Sequence, residues 1–168
     1  MNEGLLLARV VPGLVLAAHG SQKLFGWFGG YGLNGTGQFM ESLGFRPGRT
    51  FAALAGLAEL GGGLLMALGL FGPVGPALIV SVMIVAAVSV HWQNGLFAMA
   101  NGIELPLVYA TIAVAIGLTG SGQYALDALL GLTALWTPVV TWAVLVVGIA
   151  GGIVNLSLRR VSARPVVA

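Results

Sequence analysis

The chain has 168 residues, of which 58% are hydrophobic and only 7% charged, and its mean hydropathy is +0.99. A soluble domain carries roughly 25% charged residues, so there is too little charge here to clothe a water-facing surface, and the expected solvent is lipid. The net charge of +2 gives no basis for nucleic-acid binding, which needs a clustered basic face, and the absence of cysteine excludes disulfides, thiolate nucleophiles and iron–sulfur or zinc–thiolate centres.

The opening "MNEGLLLARVVPG" lacks a basic n-region and a small-residue cleavage site and reads as mature sequence. A bilayer core needs about 20 mainly apolar residues as helix, and five segments qualify. The first runs from about residue 4 to 28. The second (about 50–71) and third (74–93) share one uncharged run, split by "GPVGP" at 72–76, a turn between antiparallel helices. The fourth covers about 103–119. The fifth, "VVTWAVLVVGIAGGIVNLSL" (139–158), closes on a basic "RR" anchor. Residues 29–49 read as an ordered glycine-rich loop with a short helix near Phe39 to Leu43. Residues 120–138 read as an interfacial helix with Trp136 at headgroup level. Small residues let helices approach closely in lipid, so Gly148 and Gly152 are expected to pack within the bundle. The fold class is therefore all-α, an integral membrane helical bundle forming one domain over 1–168.

An ionisable group inside a span costs on the order of 2.5–3.5 kcal/mol on insertion scales, so each asks for a partner or a task. Arg9, His19, Gln22 and Lys23 lie along one face of the first helix, Arg9 and Lys23 nearly eclipsed at 100° per residue. Lys23 to Gly30 reads as the helix exit, with Lys23 reaching outward and Phe25, Trp27 and Phe28 as an interfacial belt. His19 lies too deep for that and is expected to be buried and hydrogen-bonded. Glu59, near the bilayer midplane, needs Arg9, His19 or Lys23 as its partner. Antiparallel topology brings His19, Lys23, Glu59, His91, Asn101 and Glu104 to the end of the bundle beside the 29–49 loop, with Arg9 and Asp127 toward the other end. A carboxylate-bridged metal site would want Glu-x-x-His pairing, which is absent, and the two histidines differ in depth too much for a b-type haem, so no metal is expected. Two readings stay open: a structural charge network, and a quinone or similar redox ligand held by His and Glu against Phe25, Trp27 and Trp92.

An early Arg, "HGSQKLFG", "AELGGGLLMALGL", a His closing the third helix, "NGIELPLVY" and "GSGQYALD" occur in that order over roughly residues 4–130. The set resembles the DoxX family of small bacterial integral membrane proteins. The last motif departs from the family's Ser-Leu-Asp in having Ala125, Leu126 and Asp127. The resemblance implies a four-helix core, to which the 139–158 helix is a C-terminal addition, a bacterial inner-membrane location, and a redox setting. Relatives include a subunit of a thiosulfate:quinone oxidoreductase and members of complexes handling oxidative stress with superoxide dismutase and a sulfurtransferase.

The resulting expectation is a subunit of a membrane oxidoreductase or respiratory complex, with quinone as candidate cofactor at the His19/Lys23/Glu59/His91/Asn101/Glu104 cluster and Arg9, Gln22 and Asp127 as secondary polar positions. Its partners would be lipid and other redox subunits, self-association being left open. The alternative is a non-catalytic assembly subunit. A transporter is disfavoured, because no inverted repeat or broken helix pair is visible. Arg46, Arg49, Arg159, Arg160 and Arg164 would lie on one side, which the positive-inside rule makes cytoplasmic, with the N-terminus outside.

Overall fold

Lipid offers no hydrogen bonds to a backbone, so an apolar segment must satisfy its own amides as helix. In the computed structural model, which describes residues 2–160, each of the five segments does so, and there is no strand among the described residues. The helices are α1 (Asn2–Phe25), α2 (Gly32–Ser42), α3 (Gly48–Leu68), α4 (Val74–Ala86), α5 (Glu104–Thr119), α6 (Leu126–Leu129) and α7 (Pro138–Ser157). Four are long and apolar enough to cross a membrane: α1, α3, α4 with its extension to Asn94, and α7. With 16 residues, α5 is about 24 Å long, less than a bilayer core of about 30 Å. Arg164 lies outside the described residues.

The most extensive helix contact is that of α1 on α3. A Cβ on Gly20 would stand 2.4 Å from the backbone nitrogen of Leu60, and one on Gly63 would stand 2.5 Å from the Gly13 carbonyl oxygen. The two backbones therefore touch where any side chain would separate them, as small residues allow in lipid. In turn, α4 packs against α3, α5 and α7. The α4–α7 seam runs over Gly148 and Gly152, both buried against α4, so these two glycines of "GIAGG" pack inside the bundle as expected. Leu16, Met66, Ile79, Val80, Met83, Ala113 and Ile116 form the core between these helices.

Three regions differ from the sequence reading. The 29–49 loop contains the 11-residue α2, although glycines weaken helices in isolation. Its Gly37 lies directly on α3, where a Cβ on Gly48 would meet the Gly37 carbonyl oxygen at 2.1 Å, so tertiary packing selects residues that propensity disfavours. Residues 120–138 form α6 and a 3₁₀ turn, Thr133–Leu135, instead of one interfacial helix, with Gly131 at φ 69° between them. Beyond Ala86, α4 continues through a π turn, Ala87–His91, and a 3₁₀ turn, Trp92–Asn94.

The C-terminal end of α7 returns to α2: Arg159 Nε donates to the Leu43 carbonyl at 2.5 Å and the Arg160 amide to the Gly44 carbonyl at 2.8 Å. The α2 region and the end of α7 therefore share one end of the bundle, as the five-span topology requires.

Candidate functional site

At that end a cavity of about 320 Å³ opens between α1, α2, α3, α4 and the start of α5. Apolar residues such as Leu16, Phe39, Phe45, Val82 and Met83 form most of its wall, and His19, Lys23, Glu59, Ser89 and His91 interrupt it. Pockets of a few hundred Å³ with few convergent polar groups suit small organic ligands.

Lys23 and Glu59 form an ion pair across the α1–α3 contact. Glu59 is buried, while Lys23 is half-buried at the cavity. Lys23 thus turns inward to the carboxylate and does not extend outward from the helix exit. The physical reason is the cost of a lone carboxylate in an apolar bundle, which draws in Lys23. An ammonium carries three N–H donors, so donors remain beyond the one given to Glu59.

His19 differs from expectation in both burial and partner. It is exposed, and its Nδ1 lies 3.0 Å from Oε1 of Gln22, one turn on in the same helix. The Gln22 amide in turn donates to the Phe28 carbonyl at 3.1 Å, which orients its oxygen toward His19. The local i,i+3 spacing wins because Gln22 is already anchored there, and Glu59 is taken by Lys23. The His91 ring is held by the Asn101 carbonyl, 2.8 Å from Nδ1. Since an amide or carbonyl oxygen only accepts, Nδ1 is the donor in both rings, and Nε2 is left as an acceptor in the neutral form.

The cavity brings together four of the predicted residues, His19, Lys23, Glu59 and His91; Asn101 and Glu104 are not among its lining. Asn101 contributes its carbonyl oxygen, shared by His91 and Asn94 (3.2 Å), from a left-handed turn at φ 61°. Glu104 accepts from the Ala98 amide at 2.7 Å and so closes the loop between α4 and α5. Phe25, Trp27 and Trp92 are exposed and lie outside the cavity, whose aromatic residues are Phe39, Phe45 and Tyr109. Sequence reasoning missed Ser89: its hydroxyl oxygen is buried and makes no hydrogen bond among the described residues, although it lines the cavity. The available signal was its position two residues before His91.

The other polar pair belongs to the opposite end. Arg9 is fully buried, and its guanidinium donates to the carbonyls of Ala67 and, at 2.8 Å, Tyr124. Buried Asp127 accepts from the Phe71 amide (2.9 Å), the Gly72 amide (2.6 Å) and Trp136 Nε1 (2.8 Å). These bonds pin the 120–138 segment to the α3–α4 turn, so Trp136 turns to Asp127 instead of the headgroups. Among the described residues no group of three or more His, Asp or Glu is gathered as metal ligands.

A family model described as DoxX matches residues 4–92, more than half of the chain. The chain belongs to the DoxX family. The match runs from α1 into the α4 extension and includes Arg9, His19, Lys23, Glu59, Ser89 and His91. Asn101, Glu104, Asp127 and all of α7 lie beyond it. No curated protein and no solved structure matches the chain. Family and apolar helices together make this DoxX protein a multi-pass membrane protein in contact with lipid.

Proposed function

We propose that this DoxX protein is the ligand-holding subunit of a membrane oxidoreductase, and that its cavity receives the head of a quinone. The observation that carries this reading is the gathering of His19, Lys23, Glu59, Ser89 and His91 in a largely apolar cavity of ring-sized volume. Lys23 and Ser89 supply donors for a quinone carbonyl, whereas His19 and His91 supply Nε2 acceptors for a quinol hydroxyl. One site thus has partners for both redox forms. Two-electron reduction of a quinone takes up two protons; here the electrons would come from a redox partner subunit, and Glu59 and His91 lie where protons would pass.

The protein would lie in the bacterial inner membrane with the cavity end cytoplasmic. That orientation is supported by Arg46, Arg49, Arg159 and Arg160 at the cavity end, against Arg9 alone toward the other.

The test is quinone titration of the purified protein in nanodiscs, read by quenching of tryptophan fluorescence. The expected result is saturable binding that His91→Phe weakens about tenfold or more, the effect of losing one polar partner in a buried site. Absence of saturable binding to the wild-type chain would overturn the reading.

A second reading, a non-catalytic assembly subunit, is favoured by the ion pair being already complete within the chain. It predicts that Glu59→Gln dissolves the complex while the isolated protein binds no quinone.

A further inference from the structure

We infer that the cavity extends into a tail groove, so that the ligand is an amphiphile whose isoprenoid chain leaves the head site sideways between α3 and α7. This inference rests on the head-group reading above and adds the route and the chemical class of the tail.

A second cavity, of about 370 Å³, adjoins the first. Met40, Phe45, Ala55, Val82 and Val85 line both, so no more than this layer of side chains separates them. One of the five, Met40, is unbranched and readily changes shape to fit what lies beside it. Beyond that layer the lining is Phe51, Leu54, Leu57, Ala58, Leu78 and Ser81, with Asn155 of α7 at the bundle end. Leu54, Leu57 and Leu78 are exposed, so the groove opens to the surrounding hydrocarbon. From Val85 down to Leu78 it follows α4 for about 10 Å at 1.5 Å per residue, enough for the first isoprene units of a chain.

The two cavities divide by chemistry. The ionisable His19, Lys23, Glu59 and His91 and the buried, unpartnered Ser89 hydroxyl lie in the first, whereas Ser81 and Asn155 are the polar residues of the groove. A buried hydroxyl without a partner is costly unless a ligand supplies one, whereas the groove walls offer mainly methyl and methylene groups. A tail-free polar ligand would leave the groove unused, and a phospholipid acyl chain alone would leave Ser89 unsatisfied.

The test uses nanodiscs holding the full chain and two probes: a dimethoxy-methyl-benzoquinone without a side chain, and the same ring carrying a two-isoprene side chain. The tailed ring is expected to bind the wild-type protein about tenfold more tightly, through packing of the tail against the groove wall. Ala58→Phe, and independently Leu54→Trp should the first variant not fold, are expected to remove most of that advantage while leaving the tail-free ring's affinity unchanged. Ser89→Ala is expected to weaken both probes about fivefold to tenfold. If the tail advantage persists in the groove variants, this inference is overturned and the head site stands; if Ser89→Ala changes nothing, both this inference and the place given to Ser89 in the head site fall. If neither probe binds the wild-type chain, both readings fall.

Discussion

The Lys23 ammonium is bound to the Glu59 carboxylate, which joins α1 to α3 inside the wall of the cavity. The two partners are unequally buried, Glu59 far more than Lys23, and breaking a buried pair costs most when the deeper charge is the one left behind. Lys23→Met is therefore expected to destabilise the protein by about 2–4 kcal/mol. Glu59→Gln should cost only about 1 kcal/mol, because a freed Lys23 can extend to water. Thermal unfolding in detergent checks this ordering, and equal losses would refute it.

The α1–α3 contact permits a paired glycine test. Gly20→Ala puts a methyl into the backbone of Leu60 and Gly56 and should cost about 2–3 kcal/mol by forcing the helices apart. Gly61→Ala, on α3 with nothing within 4 Å of its added carbon, should be neutral or stabilising by up to about 1 kcal/mol. The same melting assay compares them, and similar effects from the two would show that the close approach does not hold the pair.

Asp127 accepts three N–H donors with its two oxygens, two of them at Oδ2. Asp127→Asn replaces one acceptor oxygen with a donor, leaving at least one of those N–H groups facing another N–H. A loss of about 2–4 kcal/mol is expected, together with a red shift in fluorescence as Trp136 loosens. An unshifted spectrum at unchanged stability would show that the indole does not depend on this carboxylate.

The cysteine-free sequence makes sidedness measurable with single introduced thiols. Ser42→Cys, exposed at the end of α2, and Thr133→Cys, exposed in the 3₁₀ turn before α7, stand at opposite ends of the bundle. In intact spheroplasts an impermeant maleimide is expected to label only the second. Labelling of Ser42→Cys alone would invert the proposed orientation.

Much of the bundle was legible because hydrocarbon enforces a simple code. Apolar stretches must be helical and charges must find partners, so the sequence places Arg9 and Asp127 at one end and His19, Lys23, Glu59 and His91 at the other. What eluded sequence reasoning was competition between partners of similar reach. Gln22 holds His19 because Phe28 has already oriented it, and Lys23 goes to Glu59 although the lysine also marks a helix exit. The glycines of α2 read as loop because their packing partner, the start of α3, contributes nothing to local propensity. For Trp136 the amphipathic ring suggested a headgroup anchor, but a carboxylate nine residues earlier offered its indole a stronger acceptor.

The π turn at Ala87–His91 places one residue more in α4 than an uninterrupted α-helix would use over that rise. The side chains from its end onward, His91 first, are rotated about the helix axis by one residue's worth of turn. Histidine at this wall of the cavity is thus a matter of residue count as well as residue identity. A relative lacking one position between 87 and 90 would keep the "HWQN" motif intact and still present a different side chain to the ligand. In this helix an alignment column and a position in space are separate coordinates, and specificity can diverge through a single-codon gap with no substitution at all.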